Sequence, residues 1–256
     1  MKRQFTKLTM IVALFGLMMT GCEKPDPSDP NNNNGGNGGG NGGSTQLEAV
    51  DLDLPSGTKW ASANLGANSP EEYGDYFAWG EVTPYYEAGT ANNPQWKADK
   101  SSGYHWLSYK YCVYDANEEE GYMTKYSGDD GGAYGTPDGK TVLEAEDDAA
   151  TVILGGAWRM PTLEEFQELQ DYCSWEESEL NGVSGYKVTS RRNGNSIFIP
   201  NAGEYYETEL QLRGEAGYFW TSTRSNYCSG ANSGSNSGMR YGEERYVGFS
   251  IRPVCR

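Results

Sequence analysis

The sequence predicts a mixed α+β domain, rich in short strands, with two helices and long polar loops. Three observations lead there. Two Thr-x-x-Glu boxes, Thr141 to Glu144 and Thr162 to Glu165, each stand at the head of an apolar run with helical spacing. Short alternating or apolar stretches, bounded by glycine, proline and asparagine, lie on both sides of them. Between Val82 and Lys140 periodicity fades, and Tyr, Trp, Gly, Asn and Asp dominate.

The chain divides into residues 1–21, 22–46 and 47–256. Lys2, Arg3 and Lys7 precede an apolar run from Met10 to Met19. A run of about ten residues is half of the roughly twenty needed to span a bilayer, so it reads as a signal peptide. Met19-Thr20-Gly21-Cys22 resembles a bacterial lipobox. That resemblance implies cleavage before Cys22, lipid attachment to it, and a membrane anchor in the cell envelope, at the outer membrane. Glu23 to Gln46 is built from Pro, Asp, Asn, Gly and Ser. Such a segment buries too little apolar surface to offset chain entropy and is expected to act as a disordered spacer. Its reach is about 25–30 Å.

The formal charge is −16, and loss of Lys2, Arg3 and Lys7 takes it to −19, with 17 basic against 36 acidic residues. A balance this acidic argues against nucleic acid as a partner, since phosphate binding requires a basic stripe. Four cysteines follow Cys22: Cys112, Cys173, Cys228 and Cys255. They permit three complete pairings, among which sequence cannot choose. Cys228 with Cys255 is the preferred pair because both fall in the closing strands; buried free thiols are the alternative.

Along the domain, Val50 to Leu54 alternates apolar and acidic residues as a half-buried strand does. Lys59 to Leu65 and Tyr76 to Trp79 read as further short strands. Residues 82–140 are long for a structureless loop and are expected to hold partial structure or a functional insertion. The first helix is expected from the Thr141 box to about Leu154, stopping at Gly155-Gly156. The second buries Leu163, Phe166 and Leu169, with Cys173 next on the same stripe. Asn193-Gly194 predicts a type I′ hairpin between Tyr186–Ser190 and Ser196–Ile199, setting Val188 opposite Ile199 and Thr189 opposite Phe198. Tyr218 to Thr223 and Tyr246 to Val254 complete the strands.

Several blocks, in order, carry a family resemblance: VDLDLPSGTKWASANLGANSPEEYGDYFAWGE, EDDAATVILGGAWRMPTLEEFQEL, GYKVTSRRNGNSIFIPNAGE, GYFWTSTRS and VGFSIRPV. Together they resemble the Fibrobacter succinogenes major paralogous domain family, common in lipoproteins of Bacteroides-like bacteria. Arg159 to Phe166 is similar to the Arg-Leu-Pro-Thr-x-x-Glu-Trp segment of the formylglycine-generating enzyme superfamily. The resemblance implies a C-type lectin-like fold. Two departures limit what carries over. The oxidising enzymes of that superfamily use a pair of late cysteines, and Cys228 has no local partner. Ala63 stands where many relatives carry a cysteine.

Gly155 to Phe166 poses the central question: active site or clasp. Trp158 suits core packing. Arg159, always charged, needs acceptors if buried, and Glu146, Asp147 and Asp148 are the expected partners. Pro161 fixes the backbone before the cap at Thr162, and Glu165 closes the box. A structural clasp formed by Trp158, Arg159, Pro161, Thr162 and Glu165 is therefore the reading, with no catalytic residues assigned. His105, the single histidine, lies in GYHWLSY without a nucleophile context. No Cys-x-x-Cys or His-x-x-x-His spacing points to zinc. The stretch Asp115 to Gly121 begins like a calcium loop but has Glu120 at the glycine position and Tyr126 at the glutamate position. Asp129, Asp130 and Asp138 remain as calcium candidates, against the alternative of a solvated acidic loop; no cofactor is otherwise expected. Tyr85, Tyr86, Trp96, Tyr104 and Trp106 lie in loop-like segments and are the candidate ligand contacts, since exposed aromatics stack on sugars or anchor proteins. The alternative is that they roof a core short of aliphatic residues. Three functions follow: a non-catalytic surface module binding a glycan or protein, a structural adhesin component without a small ligand, and a carboxylate-dependent hydrolase.

Overall fold

A computed structural model describes residues 47–90, 93–115, 120–128, 135–225, 230–235 and 238–256. The expectations for the leader, Cys22, the spacer, Asp129, Asp130 and Cys228 lie outside these residues. Among the described residues, no helix is long and apolar enough to cross a membrane.

The class is mixed α+β: small antiparallel sheets with two helices. Strands β1 (Ala49–Asp51) and β2 (Lys59–Ala61) open the domain as an antiparallel pair. Residues 82–140 form two hairpins, β3 (Tyr86–Thr90) with β4 (Asn93–Trp96) and β5 (Cys112–Asp115) with β6 (Glu120–Met123). Helices α1 (Ala149–Leu154) and α2 (Leu163–Tyr172) follow. Helix α2 runs directly into β7 (Cys173–Leu180), which sheets with β8 (Val183–Ser190) and β9 (Ser196–Pro200). Then come the hairpin β10 (Glu204–Tyr206) and β11 (Glu209–Gln211), the sheet β12 (Tyr218–Arg224), β13 (Gly230–Ser235) and β14 (Gly238–Glu244), and β15 (Val254–Cys255). Strand β15 pairs with β2, Val254 opposite Trp60, so the first and last strands share one sheet.

Three local expectations are corrected. Thr141 does not cap a helix. Its carbonyl accepts the Arg224 N–H at 2.8 Å and Leu143 N–H donates to Ser222 O at 2.9 Å, which holds this stretch extended along β12. The helix begins instead at Ala149, capped by Asp148, whose Oδ1 accepts the Thr151 N–H at 2.9 Å. It stops as expected at Gly155, where φ is +65°.

The hairpin after Tyr186 also differs. Val188 lies opposite Ile197 and Tyr186 opposite Ile199, a shift of two residues from the expected register. A shift of two preserves the face each side chain occupies, so Val188 and Ile199 remain buried as the pattern required. The loop is longer because Ser190 organises it: its Oγ accepts from Arg192 N and Asn193 N, and its carbonyl accepts Gly194 N–H at 3.1 Å. Gly194 has φ +79°, while Asn193 is not left-handed, so this is not a type I′ turn. That turn lies one hairpin earlier: Asn181 (φ +51°) and Gly182 (φ +82°) join Leu180 to Val183 between β7 and β8.

The core is aromatic. Trp79, Trp220, Tyr76, Tyr85, Tyr104, Tyr126 and Phe77 are among its fully buried side chains. Their polar ends serve the loops. Trp79 Nε1 donates to Thr221 O at 2.8 Å, Trp220 Nε1 to Phe77 O at 2.7 Å, and Tyr109 Oη to Trp79 O at 2.8 Å. Irregular backbone lacks ladder partners, and buried carbonyls must still be satisfied. Tyrosine and tryptophan supply both apolar area and a donor. A second cluster joins Phe166 and Leu169 of α2 to Trp60, Val188, Ile197 and Phe219.

Candidate functional site

The stretch from Trp158 to Phe166 is tied down on every side. Trp158 is buried against Ala61 and Cys255. Arg159 exchanges two backbone hydrogen bonds with Val254 of β15, at 3.0 and 2.8 Å. Met160 N–H donates to Asp148 Oδ2 at 2.8 Å, Ser222 N–H to Pro161 O at 2.8 Å, and Leu163 N–H to Thr223 Oγ1 at 3.0 Å. The capping box at Thr162 and Glu165 is formed.

Glu165 is its hub. The Arg159 guanidinium grips it as a fork, Nη1 to Oε2 at 2.6 Å and Nη2 to Oε1 at 2.5 Å. Thr58 Oγ1 donates to Oε1 at 2.8 Å and the Thr162 N–H to Oε2 at 2.9 Å. This corrects the expected partners of Arg159. Asp147 faces the tyrosines and lysines described below, and Asp148 caps α1, whereas Glu165, six residues on in the first turn of α2, matches the planar fork. Burial pushes the Glu165 carboxyl up, but the bonds from Arg159, Thr162 and Thr58 outweigh it and leave it below the ordinary range. A carboxylate with this many donors is held ionised and in place.

Three of the five candidate aromatic contacts, Tyr85, Tyr86 and Tyr104, are buried, and Trp96 is half-buried against the same core. Tyr85 and Tyr104 are fully buried and stacked at 4.4 Å. Tyr86 is buried with its hydroxyl on Asp75 Oδ1 at 2.9 Å, and Trp96 packs edge-on against Tyr104 and Tyr205. They roof the core because residues 82–140 carry few aliphatic side chains that could do so.

Trp106 differs. It is half-buried in a short 3-10 turn, Trp106–Ser108, whose preceding His105 accepts the Leu107 N–H on Nδ1 at 3.1 Å. Tyr104 and Glu207 exchange backbone hydrogen bonds at 2.9 and 3.0 Å, which sets this turn beside Tyr206. Gly103 permits the approach: its φ is +65°, and a Cβ there would lie 2.2 Å from Glu207 O. Tyr205 bridges to Gly248 and so brings Tyr246 alongside. The result is a contiguous aromatic cluster centred on Tyr246. Trp106 meets Tyr246 edge-on at 4.6 Å, Tyr206 meets it at 5.8 Å, and His105 lies at 6.0 Å. Tyr246 Oη donates to Glu244 Oε2 and lies 3.1 Å from Tyr206 Oη. Tyr206 is 41% and Leu107 60% exposed, so the outer edge of the cluster faces solvent, while Tyr246 is 3% exposed and belongs to the core. Sequence reasoning missed Tyr206 and Tyr246. The adjacent pair Tyr205-Tyr206 in a short strand was the available signal, since neighbours in a strand face opposite ways.

Of the calcium candidates, Asp138 is exposed and braces a turn, accepting Tyr126 N–H at 2.6 Å and Lys140 N–H at 3.0 Å. Among the described residues, Glu144, Glu146 and Asp147 converge with cation-ligand spacing. A built-in cation sits among them: Lys125 Nζ lies 2.7, 3.0 and 2.5 Å from their carboxylates. Asp147 also accepts from Tyr111 Oη and, at 2.6 Å, Tyr126 Oη. Burial raises its carboxyl, but Lys125, Tyr111, Tyr126 and the charge of Lys110 bring it down to about 2. The folded carboxyl ionises below its unfolded value of 3.8. Its stabilisation is therefore complete above about pH 4 and lost as pH falls towards 2. We expect Asp147→Asn to remove about 1–2 kcal/mol of stability at pH 7, discounting for solvent at Lys110. The same variant should show a flatter loss between pH 4 and 2 in urea titrations. An unchanged acid limb would contradict this assignment.

Cys112 and Cys173 are free thiols, and burial pushes both up to about 11, which suppresses thiolate chemistry. Cys255 is disulfide-bonded; Cys228, its expected partner, lies outside the described residues. No family model matches the chain, and neither a curated protein nor a solved structure matches it.

Proposed function

We propose that the protein is a non-catalytic, lipid-anchored module of the cell envelope, held at the outer membrane through Cys22, whose lectin-like domain binds a glycan through Trp106 and Tyr206. The observation that carries this reading is the solvent-facing edge that Tyr206 and half-buried Trp106 form over the buried Tyr246, flanked by the exposed Glu244 carboxylate. Ring faces cover the C–H face of a sugar, and the carboxylate and the Tyr206 phenol accept and donate at its hydroxyls. The clasp at Glu165 supports it by giving the loops a rigid base. A structural role in a surface assembly is the second reading, favoured by Val152 and Ile153, adjacent on α1 and each 49% exposed.

A glycan and protein array probed with the full chain tests the choice. Glycan binding that weakens about three- to tenfold in Trp106→Ala and in Tyr206→Ala is the expected result. Silence on glycans with one strong protein hit would move the assignment to the second reading. Cys22→Ala is expected to shift the protein from the membrane fraction to the soluble one; retention on membranes would contradict the anchor.

A further inference from the structure

We propose that the free edge of β7 binds an extended, basic segment of a partner protein as an added antiparallel strand. This surface shares no residue with Trp106 or Tyr206 and stands independently of them. The two-residue turn at Asn181-Gly182 makes Leu180 and Val183 a hydrogen-bonded pair. Alternation then turns the backbone N–H and C=O groups of Ser174, Glu176, Ser178 and Leu180 towards β8, and those of Trp175, Glu177 and Glu179 away from it. The far side of β8 agrees, since Ser184 O accepts the Asn201 N–H and Ser190 N–H donates to Asn195 O, both on the β9 side. Among the described residues, no hydrogen bond reaches the outward backbone groups of Trp175, Glu177 and Glu179.

Two other edges are blunted. On the opposite side of the same sheet, Phe198 O of β9 accepts from Nη2 of the fully buried Arg252 at 2.9 Å, and Pro200 has no N–H to offer. The ladder of β14 with β13 shifts register between Ala231 and Ser233, an irregularity that twists an edge away from new partners. Strand β7 has neither device. Its eight residues pair with β8 without a register shift and include no proline. The hairpin tip is tethered, Asn181 Nδ2 donating to Glu71 Oε1 at 2.7 Å, so the edge is held in place before anything binds. A regular, unpaired edge is a template for another strand.

Charge identifies the partner. Glu177 and Glu179 are exposed and share one face of β7. Lys187 of β8 stands opposite Glu176, whereas Tyr186 and Ser184 stand opposite Glu177 and Glu179, so the face of these two carries the unbalanced charge. Two copies of β7 paired antiparallel about Glu177 would set like charges opposite each other, which destabilises a ladder. A strand with lysine or arginine at alternate positions meets the same acids with opposite charge while its backbone completes the ladder.

The test is fluorescence anisotropy of labelled peptides with the full chain at physiological salt. The first probe alternates lysine and valine. The second is the same peptide with its lysine backbone nitrogens methylated, which keeps the charge but removes the donors that would face β7. The third has glutamate in place of lysine. The first is expected to bind and to protect the Trp175, Glu177 and Glu179 amides from hydrogen exchange, with the other two about tenfold weaker or worse. Glu177→Gln combined with Glu179→Gln, both at exposed positions and so expected to fold normally, should weaken the first about tenfold. Trp106→Ala should leave it unchanged, which separates this edge from the aromatic cluster. The proposal is overturned if the first peptide does not bind, if the methylated peptide binds equally well, or if the double glutamine variant binds as before. Self-association of the chain that protects the same amides would also overturn it, by giving the edge to a second copy.

Discussion

Glu165→Ala is expected to lower stability by about 3 kcal/mol, read as a shift of the urea midpoint without a change in slope. The substitution strands the Arg159 guanidinium, which keeps 31% of its side-chain surface, against a wall built to pair it. A fully enclosed pair would lose up to about 5 kcal/mol; partial access of water to Arg159 limits the loss. The Thr162 N–H at the head of α2 and the Thr58 hydroxyl lose their acceptor at the same time. Glu165→Gln should lose less, because one oxygen remains to serve Thr162. Equal losses for alanine and glutamine would mean that the capping contacts are unimportant and the charge is everything.

Phe166→Ala is expected to cost about 3–5 kcal/mol, the range for removing a buried phenyl. The ring is fully buried, edge-on to Trp60 at 5.9 Å and tilted against Trp175 at 6.2 Å. Across from it lies Gly234 of β13, where a Cβ would come within 2.2 Å of the ring. Gly234→Ala alone should therefore cost about 1–3 kcal/mol through overpacking. The two changes together should cost less than their sum, since the new methyl enters space the ring has left. Additive losses would show that Phe166 and Gly234 are not in contact in solution.

Much of this framework was readable from the sequence. Thr162-Leu163-Glu164-Glu165 announced its helix because the capping box is local, and its donors and acceptors sit within one turn. The same pattern misled at Thr141, where the edge of β12 supplies partners that no local window contains. The type I′ turn expected at Asn193-Gly194 does not form, because Ser190 draws Asn193 into a longer loop; Asn181-Gly182, which went unremarked, adopts one. The face of Val188 was legible even though its partner was not, because burial depends on parity and register on the turn. The aromatic loops were ambiguous for a different reason. Tyr104 and Trp106 are two residues apart in similar company, yet one is fully buried and the other reaches the surface. What separates them is the backbone bridge from Tyr104 to Glu207, a contact across a hundred residues that composition cannot encode. The partner of Arg159 was missed because charge counting favoured three nearby acids over the one whose geometry suits a fork.

The claim on which the rest depends is that Arg159 and Glu165 form an interior clasp rather than a reactive centre. A double-mutant cycle with Arg159→Met and Glu165→Gln, measured by urea unfolding at pH 7, tests it most directly. The clasp predicts a coupling of about 2 kcal/mol between the two positions, with ligand binding at Trp106 retained in every variant that folds. Coupling near zero, with stability intact and binding abolished, would contradict it and place the pair in a functional site.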